Sequence, residues 1–453
     1  MGERLFGTDG IRGRAGEGWL VPERVSALGR SAGRLLARGK KPRALLGHDG
    51  RRSGPGLEAA LARGLAASGF TCTSAGLTTT PGLATVGRLA DYDATAMVSA
   101  SHNPAEDNGL KLFGPGGEKL ADEVEDAIER DVRATYAEGE VWGDAPPPAL
   151  EPDVEERYLA HLMQAAGKLK LDGLTLALDC ANGGASRVGP RLFGRLGAQV
   201  LASFCEPDGG NINQDCGATR PKALQESVRR QEADVGIALD GDGDRCILVD
   251  EKGGLVHGDG ILTVLARHAR AAGRLSDPRI VATVMSNRGL HRALRDVGVS
   301  VVTVDVGDRR VVEALRRERL SLGGEQSGHI VFGADNAYVG DGLYTALRML
   351  QVLRGTGRPL SELALPYQPF PQVLLNVPVS RKPAMRDLAP VAELVREIED
   401  ALGEDGRVLL RYSGTEPLAR VMVEGPDAGW IQARAQDLAE AIAREIGAEA
   451  PAT

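Results

Sequence analysis

The chain has 453 residues, enough for about three domains of roughly 150 residues each, and its formal net charge is −8. Acidic and basic residues are mixed along the chain, which argues against nucleic acid or an anionic membrane as a partner. The five cysteines are scattered and form no C-x-x-C pair, which favours a reducing compartment over a disulfide framework. No apolar run approaches the ~20 residues that span a bilayer, and the N-terminus lacks the apolar core of a signal peptide. We therefore expect a cytoplasmic protein with no membrane and no nucleic-acid partner.

Strands and helices alternate along the first three quarters of the chain, as in parallel α/β sheets. The pattern predicts helices over 22–38, 57–68 and 122–137, a short helix after Pro81, and strands over 43–49, 70–75 and 94–99. After a Pro-rich linker at 145–153, the alternation resumes with strands over 174–179, 198–204, 235–240, 280–285 and 299–304. The openings of the three stretches are weakly alike, which suggests a repeated α/β unit.

The alternation ends at a second Pro-rich segment, 365–371. Strands over 373–379, 407–411 and 419–424 and helices over 388–402 and 432–446 then place two strands back to back between helices, which indicates an α+β domain. The sequence thus predicts three similar α/β domains with mixed, mainly parallel sheets at 1–152, 153–254 and 255–367, and a C-terminal α+β domain at 368–453.

A polar turn follows the predicted strand 94–99, in the stretch T-A-M-V-S-A-S-H-N-P. Ser101 and His102 stand side by side at the end of this strand, where a reactive hydroxyl is easily presented. The alternative is an ordinary Ser/Asn/Pro turn that caps a helix. The other polar loops of the chain favour the reactive serine.

The strongest chemical signal is L-D-G-D-G-D-R (239–245), at the end of another predicted strand. Asp240, Asp242 and Asp244 alternate with glycines, so a tight loop can turn three carboxylates toward one hard cation such as Mg²⁺. A calcium EF-hand is one alternative, but its loop needs glycine at the sixth position, where this chain has Arg245. The other is a solvated acidic turn, although three carboxylates so close would repel one another.

Further polar loops carry groups suited to a phosphorylated sugar. In G-G-E-Q-S-G-H (323–329), Glu325 and Ser327 can bind vicinal hydroxyls, and His329 can titrate near neutral pH. Arg12 in G-I-R-G and Lys111 in N-G-L-K are assigned to polar glycine turns, where they can neutralise a transferring phosphoryl group. Solvated turns and surface basic residues are the alternatives.

A last polar loop, R-Y-S-G-T-E-P (411–417), joins two predicted strands. Its guanidinium, hydroxyls and backbone N–H groups can form a phosphate-binding nest. The alternative is an ordinary hairpin turn. The residues assigned to the nest are Arg411, Ser413, Gly414 and Thr415.

Together these motifs resemble those of the α-D-phosphohexomutase superfamily. F-G-T-D-G-I-R-G, T-A-M-V-S-A-S-H-N-P, D-G-D-G-D-R, G-E-Q-S-G-H and R-x-S-G-T-E-P occur in the family's order and cover essentially the whole chain. The resemblance implies four domains around a central cleft, each contributing one loop. The first motif and Gln326 resemble the branch that interconverts glucosamine 6-phosphate and glucosamine 1-phosphate, which feeds UDP-N-acetylglucosamine synthesis.

The resemblance also implies a role for each motif residue. Ser101 would be the phosphoserine, a hexose 1,6-bisphosphate the intermediate and activator, and Asp308 and Arg309 would lie at the cleft. One Mg²⁺ per chain would be held by Ser101, Asp240, Asp242 and Asp244. The remaining roles are sugar binding by Glu325 and Ser327, binding of the non-reacting phosphate by Arg411, Ser413, Gly414 and Thr415, proton transfer by Lys111, Arg12 and His329, and support of the phosphoserine by His102 and Arg245.

The chain departs from the family's pattern at two positions. Gly50 in G-H-D-G-R-R-S stands in a supporting turn that is commonly Asp-Thr-Arg, and Arg310 follows Asp308 and Arg309 where an aromatic residue is frequent. The functional alternatives are a phosphoglucomutase or phosphomannomutase, a metal-dependent sugar phosphatase, and a non-catalytic sugar-phosphate sensor. The oligomeric state is left open, with a homodimer as one candidate.

Overall fold

The computed structural model describes residues 4–7, 9–136, 142, 146–275, 277–413 and 416–447. The chain forms two compact units, the first comprising Met1–Met285 and Val302–Leu365 and the second Ser286–Val301 and Pro366–Thr453. The predicted combination of α/β sheets with a C-terminal α+β part is confirmed, while the boundaries of the four domains stay a prediction.

The first sheet has six strands. Its strands are β1 (Ile11–Arg14), β2 (Arg43–His48), β3 (Thr71–Leu77), β4 (Ala94–Val98), β5 (Asp107–Phe113) and β6 (Ala149–Leu150). Its helices are α1 (Pro22–Leu36), α2 (Gly54–Ala67), α3 (Thr80–Leu89) and α4 (Asp122–Thr135). Helices α1, α2 and α4 pack on the sheet through a core of aliphatic and phenylalanine side chains. The strand order is β1-β5-β4-β2-β3-β6, with β2, β3 and β4 parallel and β5 antiparallel to both of its neighbours.

The prediction of polar glycine turns at Arg12 and Lys111 is wrong, because both residues lie on paired strands. Arg12 lies on β1 opposite Gly109, and Lys111 lies on β5 opposite Met97. A Cβ at Gly109 would come within 2.5 Å of the Ser99 carbonyl oxygen. Gly109, two residues before Lys111, therefore permits close approach of the backbone and does not mark a turn.

The second sheet places the aspartate motif in a hairpin. After α5 (Val154–Ala166), its elements are β7 (Thr175–Asp179), α6 (Val188–Arg195), β8 (Gln199–Ser203), α7 (Lys222–Gln231), β9 (Val235–Leu239), β10 (Cys246–Asp250) and β11 (Leu255–Val256). The strand order is β11-β10-β9-β7-β8. Because Leu239 on β9 pairs with Cys246 on antiparallel β10, residues 240–245 form the tight loop between them.

The third sheet carries the Glu325–His329 loop between two short antiparallel strands. Its elements are α8 (Gly258–Ala271), β12 (Arg279–Thr283), β13 (Ser300–Val304), α10 (Asp308–Glu318), β14 (Gly323–Gly324), β15 (Ile330–Val331), α11 (Gly342–Thr356) and α12 (Leu360–Ala364). Helix α9 (Arg288–Arg295) lies between β12 and β13 in the sequence and belongs to the second unit. The strand order is β13-β12-β14-β15, and Gly324 pairs with Ile330 on either side of the loop.

The second unit is built on an antiparallel sheet of order β16-β18-β17, formed by β16 (Gln372–Pro378), β17 (Arg407–Tyr412) and β18 (Leu418–Glu424). Helices α13 (Ala389–Leu402) and α14 (Ala428–Ile446) cover it through a core that includes Val421, Val423, Ile431 and Ile442. The predicted phosphate-binding loop joins β17 to β18. Within the described residues, no helix of either unit is long and apolar enough to cross a bilayer.

Candidate active site

Ser101 lies in the turn after β4 and faces a loop of the second sheet. Its backbone has a φ of +54°, in the left-handed region that costs a residue other than glycine about 1 kcal/mol. The side chain is buried, and its Oγ donates a hydrogen bond to Asp240 Oδ2 at 2.6 Å. The structure therefore places the predicted nucleophile in direct contact with the predicted metal loop.

The aspartate loop gathers three buried carboxylates. Asp240, Asp242 and Asp244 each offer an oxygen, and these oxygens lie within 4.8 Å of one another. Gly241 allows the loop to approach the serine turn, since a Cβ there would lie 2.6 Å from the Ser101 carbonyl oxygen. Burial, reinforced by the charges of Asp244 and Asp242, raises the pKa of Asp240 to about 8. The carboxylates repel one another, as expected of a cation site.

Two oxygens of this loop test whether the residues fit a metal ion. Asp242 Oδ1 and Asp244 Oδ1 are buried and form no hydrogen bond within the described part of the chain, although Asp244 Oδ1 lies 3.5 Å from His329 Nδ1 in an ion pair. An unsatisfied buried acceptor costs about 1–3 kcal/mol. A hard divalent cation, which prefers oxygen ligands, would satisfy both atoms, so the donor set fits such an ion.

Lys111 supplies positive charge to the same loop. Its Nζ lies 2.7 Å from Asp242 Oδ2, 3.4 Å from Asp244 Oδ2 and 2.7 Å from Asp9 Oδ2. Burial alone would lower the pKa of Lys111, but the three carboxylates raise it well above its usual range. Lys111 is therefore protonated at neutral pH, where it can neutralise negative charge or donate a proton.

The two histidines near Ser101 have opposite protonation states. His102 Nδ1 lies 3.4 Å from Ser101 Oγ, and burial, with the charges of Arg245 and Arg12, lowers the pKa of His102 to about 4. His329 is also buried, which opposes its charge, but Asp244 at 3.5 Å and Asp308 raise its pKa to about 9. At neutral pH, His102 is thus neutral and His329 carries a proton.

A cavity of about 400 Å³ opens beside these groups, within the size range of small-molecule sites. The predicted site residues that line it are Arg12, His102, Asp244, Arg245, Asp308, Glu325 and His329. Asp9 also lines it and pairs with Arg12, Lys111 and, at 2.5 Å, Lys119, which in turn pairs with Asp308. Asp9 and Lys119 thus link the first and third sheets at the cavity. The sequence motifs assign no role to either residue.

Two predicted substrate-binding residues lie apart from this cavity lining. Arg309 forms ion pairs with Asp122 and, at 2.7 Å, with Glu125, both on α4. Ser327 lies on the loop between β14 and β15, and its Oγ is buried without a hydrogen-bond partner among the described residues. The charge of Arg309 is therefore neutralised by two carboxylates of α4. The hydroxyl of Ser327, in contrast, is available to bind a ligand.

The predicted phosphate-binding loop belongs to the second unit. Arg411 is exposed on β17, and Ser413, two residues later, is buried. The carbonyl oxygen of Ser413 accepts a hydrogen bond from Lys382 Nζ at 2.6 Å. Gly414 and Thr415 lie outside the described residues. Lys382 adds a second cation to this loop, which the sequence motif did not include.

Arg51 and Asn213 both support the serine turn, which is the turn formed by residues 101–104 after β4. Arg51 follows β2 of the first sheet, and Asn213 lies between β8 and α7 of the second. Arg51 Nη2 donates hydrogen bonds to the carbonyl oxygens of Ser101 at 3.0 Å and Asn103 at 2.9 Å. Asn213 Nδ2 donates to the same two oxygens at 2.9 and 3.0 Å. Because a carbonyl oxygen has two lone pairs, both acceptors are fully used. These contacts hold Ser101 in its left-handed conformation.

The sequence carries only weak signals for these two residues. Arg51 is fully buried and pairs with Asp49 at 3.0 Å, in the turn for which the family resemblance implies only a supporting role. Gly50, between them, has a φ of +99°, so glycine suits this turn despite the departure from the family's pattern. Asn213 lies in the Gly/Asn-rich stretch G-G-N-I-N-Q-D-C-G, which reads as an ordinary loop.

Comparison with known proteins places this geometry in a family. Four domain families match consecutive parts of the chain: phosphoglucomutase/phosphomannomutase α/β/α domain I over residues 3–138, domain II over 156–254, domain III over 257–370 and the C-terminal domain over 374–441.

The relatives that match do so over nearly their whole length. The chain is 47% identical to the phosphoglucosamine mutase of Mycolicibacterium paratuberculosis over 451 residues, covering 97% of this chain and 99% of the relative. It is also 47% identical to the phosphoglucosamine mutase of Rhodococcus opacus, with the same coverage. A crystal structure of a phosphoglucomutase/phosphomannomutase family protein from Burkholderia thailandensis superimposes with a TM-score of 0.77 at 25% identity, covering 98% of both chains. The chain therefore belongs to the phosphoglucomutase/phosphomannomutase family and, within it, to the phosphoglucosamine mutases.

Proposed function

We propose that this chain interconverts glucosamine 6-phosphate and glucosamine 1-phosphate through a phosphorylated Ser101 and a 1,6-bisphosphate intermediate. The observation that carries the proposal is the hydrogen bond of 2.6 Å from Ser101 Oγ to Asp240, which joins a buried serine to a buried carboxylate cluster. A serine beside an oxygen-ligand cation site suits phosphoryl transfer, in which positioning and charge neutralisation do most of the catalysis.

In the first half-reaction, O1 of the sugar bonds to the phosphorus of phospho-Ser101 as the bond from Ser101 Oγ to phosphorus breaks. O1 releases its proton and Ser101 Oγ gains one. Lys111 and His329, both protonated at neutral pH, supply positive charge around the transferring group. In the second half-reaction, Ser101 Oγ bonds to the phosphorus of the 6-phosphoryl group as the bond from O6 to phosphorus breaks. Ser101 Oγ releases its proton and O6 gains one, which leaves glucosamine 1-phosphate and phospho-Ser101.

The cation proposed for the aspartate loop is Mg²⁺, which Asp240, Asp242, Asp244 and phosphorylated Ser101 would hold. When bound, it would offset the phosphoserine charge of about −2, which three carboxylates would otherwise oppose. The sugar hydroxyls are assigned to Glu325 and Ser327, and a substrate phosphate to the loop that carries Arg411, Ser413, Gly414 and Thr415. His102, Arg245 and Arg12 are assigned to support of the phosphoserine and the transferring group, since all three line the same cavity.

Product formation from glucosamine 6-phosphate and from glucose 6-phosphate, followed by ³¹P NMR, tests both the mutase activity and the choice of sugar. The protein is mixed with Mg²⁺ and a trace of hexose 1,6-bisphosphate, and glucosamine 6-phosphate or glucose 6-phosphate is added in parallel samples. We expect glucosamine 1-phosphate to form faster than glucose 1-phosphate. Preference for glucose would contradict the assigned substrate, and release of inorganic phosphate alone would indicate a phosphatase.

Removal of divalent metal is expected to stop turnover and to lower the melting temperature, because a ligand that binds only the folded state stabilises it. Treatment with a chelator followed by dialysis, and then by titration with MgCl₂, measures both effects. The rise in melting temperature with MgCl₂ should be lost in Asp242→Asn. An equal rise in that variant would show that the stabilising ion binds elsewhere.

Replacing Arg411 with alanine is expected chiefly to weaken substrate binding. Loss of a bidentate phosphate contact removes about 1.5–3 kcal/mol, so KM for glucosamine 6-phosphate should rise by about tenfold or more. Steady-state kinetics checks this, with Arg396→Ala, an exposed arginine of the same unit, as the control. A KM near that of the unmodified protein would contradict the assignment of this loop to phosphate.

A further inference from the structure

A second cleft, of about 630 Å³, opens in the first unit where the ends of α5 and α8 meet α11. It shares no lining residue with the cavity beside Ser101. Its floor is apolar, formed by the buried side chains of Leu169, Leu265, Leu275, Leu322, Phe332 and Val352. The cleft is thus separate from the reaction site and has room for a ligand larger than a monosaccharide phosphate.

The walls of this cleft are strongly basic in a protein whose net charge is −8. The basic side chains that line it are Lys168, Lys170, His268, Arg274, Arg348 and Arg354, against one carboxylate, Asp335. Throughout the described part of the chain, no carboxylate lies within 4.0 Å of the charged groups of the two lysines, Arg274 or Arg348. A cleft with walls of one sign concentrates ions of the other.

Helix ends account for some of these cations, but not for Arg348. Basic residues near the C-termini of α5 and α8 complement the negative helix ends, and Arg354 donates hydrogen bonds to the carbonyl oxygens of Lys170 and Asp172. Arg348 instead lies near the middle of α11, half-buried, with its guanidinium 5.8 Å from the ring of Phe332 and 5.9 Å from that of Tyr344. The rings position this cation beside the apolar floor.

His268 reports the electrostatic potential inside the cleft. Burial lowers the pKa of His268, and the charges of Arg274 and Arg348 lower it further. Both guanidinium groups therefore act on the same small volume, although one lies on the segment after α8 and the other on α11. An anion bound between them would have the opposite effect on His268.

We propose that this cleft is a second ligand site, for a nucleoside diphosphate. The two phosphates supply the charge that Arg274, Arg348 and the two lysines can neutralise, and the nucleoside supplies an apolar face for the floor. A monosaccharide phosphate offers one phosphate, and a hexose bisphosphate offers two but no planar base for the apolar floor. Lys168 and Lys170 follow α5, whereas Arg274 follows α8 and Arg348 lies on α11. A ligand bound to all four side chains therefore links these parts of the chain.

Titration of the full-length protein with UDP, ADP and inorganic phosphate, in separate arms, tests this site. Calorimetry gives the affinities, and the ring signal of His268, identified among the seven histidines with His268→Gln, locates the ligand. We expect saturable binding of one or both nucleotides, an upward shift in the pKa of His268, and much weaker binding of phosphate alone. Equal affinity for phosphate and both nucleotides would overturn the assignment to a nucleoside diphosphate.

Charge-removing variants complete the test. Arg274→Gln with Arg348→Gln should weaken nucleotide binding about tenfold or more, whereas Arg386→Gln with Arg396→Gln, exposed arginines elsewhere, should not. Lys168→Gln with Lys170→Gln provides an independent loss of charge if the arginine pair melts at a lower temperature. Turnover without nucleotide should be unchanged in all three. Absence of saturable binding, or affinity that neither cleft variant lowers, would overturn the proposal whether or not the chain is a mutase.

Discussion

Ser101→Ala is expected to lower turnover of glucosamine 6-phosphate by on the order of 10³-fold or more, because it removes the oxygen that accepts and returns the phosphoryl group. Mass spectrometry of the protein after incubation with hexose 1,6-bisphosphate should find one phosphoryl group on the unmodified chain and none on the variant. Substrate binding, measured by calorimetry, should change far less than turnover. This separation distinguishes a lost nucleophile from a collapsed site.

A matched substitution guards against a trivial explanation of that loss. The Ser101 side chain also donates a hydrogen bond to Asp240, so its removal could disturb the aspartate loop. Ser101→Thr keeps a hydroxyl at this position and should retain phosphorylation at a reduced rate. Turnover of Ser101→Ala within tenfold of the unmodified protein would contradict a phosphoserine mechanism and favour direct transfer or another nucleophile.

Arg51→Ala is expected to have the largest effect on stability, about 3–5 kcal/mol, because Arg51 is fully buried and its loss leaves the Asp49 carboxylate buried without its ion partner. The carbonyl oxygens of Ser101, Asn103 and Asp107 also lose a donor. Urea unfolding should detect the loss, and turnover should fall even at temperatures where the variant remains folded, because Ser101 is less firmly held.

Arg52 offers a control one residue away. Its side chain is exposed, so Arg52→Ala should change the free energy of unfolding by less than about 0.5 kcal/mol. Arg51→Lys keeps the charge but cannot reach several acceptors at once, so it should recover only part of the stability. Equal effects of the Arg51 and Arg52 substitutions would show that the buried contacts of Arg51 add nothing to stability.

Local spacing explains which parts of the site could be predicted from the sequence. Asp240, Asp242 and Asp244 lie on one short loop, so their convergence follows from the alternating glycines alone. Ser101 was recognisable because a β-prone run ends just before it. The α/β alternation likewise gave the class of the fold, since each strand and helix leaves its own periodic pattern.

The remaining parts depend on contacts that no local pattern encodes. The glycine of N-G-L-K favours a turn at Lys111, but β5 pairs with β4 and with β1, whose residues lie about a hundred positions earlier in the sequence. Arg51 and Asn213 act on a turn that lies 50 and 112 positions from them, respectively. Arg309 pairs with Asp122 and Glu125, which lie 187 and 184 positions away, so no local pattern predicts these ion pairs.

The two residues that support the serine turn, Arg51 and Asn213, are synthesised at different stages of translation. Arg51 is synthesised before Ser101, whereas Asn213 and Asp240 are added 112 and 139 residues after it. An elongating chain therefore carries Ser101 in a turn that lacks the two carbonyl contacts from Asn213, and a left-handed serine is strained without such support. A chain that ends before Asp240 lacks the aspartate loop, so the proposed phosphoryl transfer to Ser101 requires the second sheet to have formed.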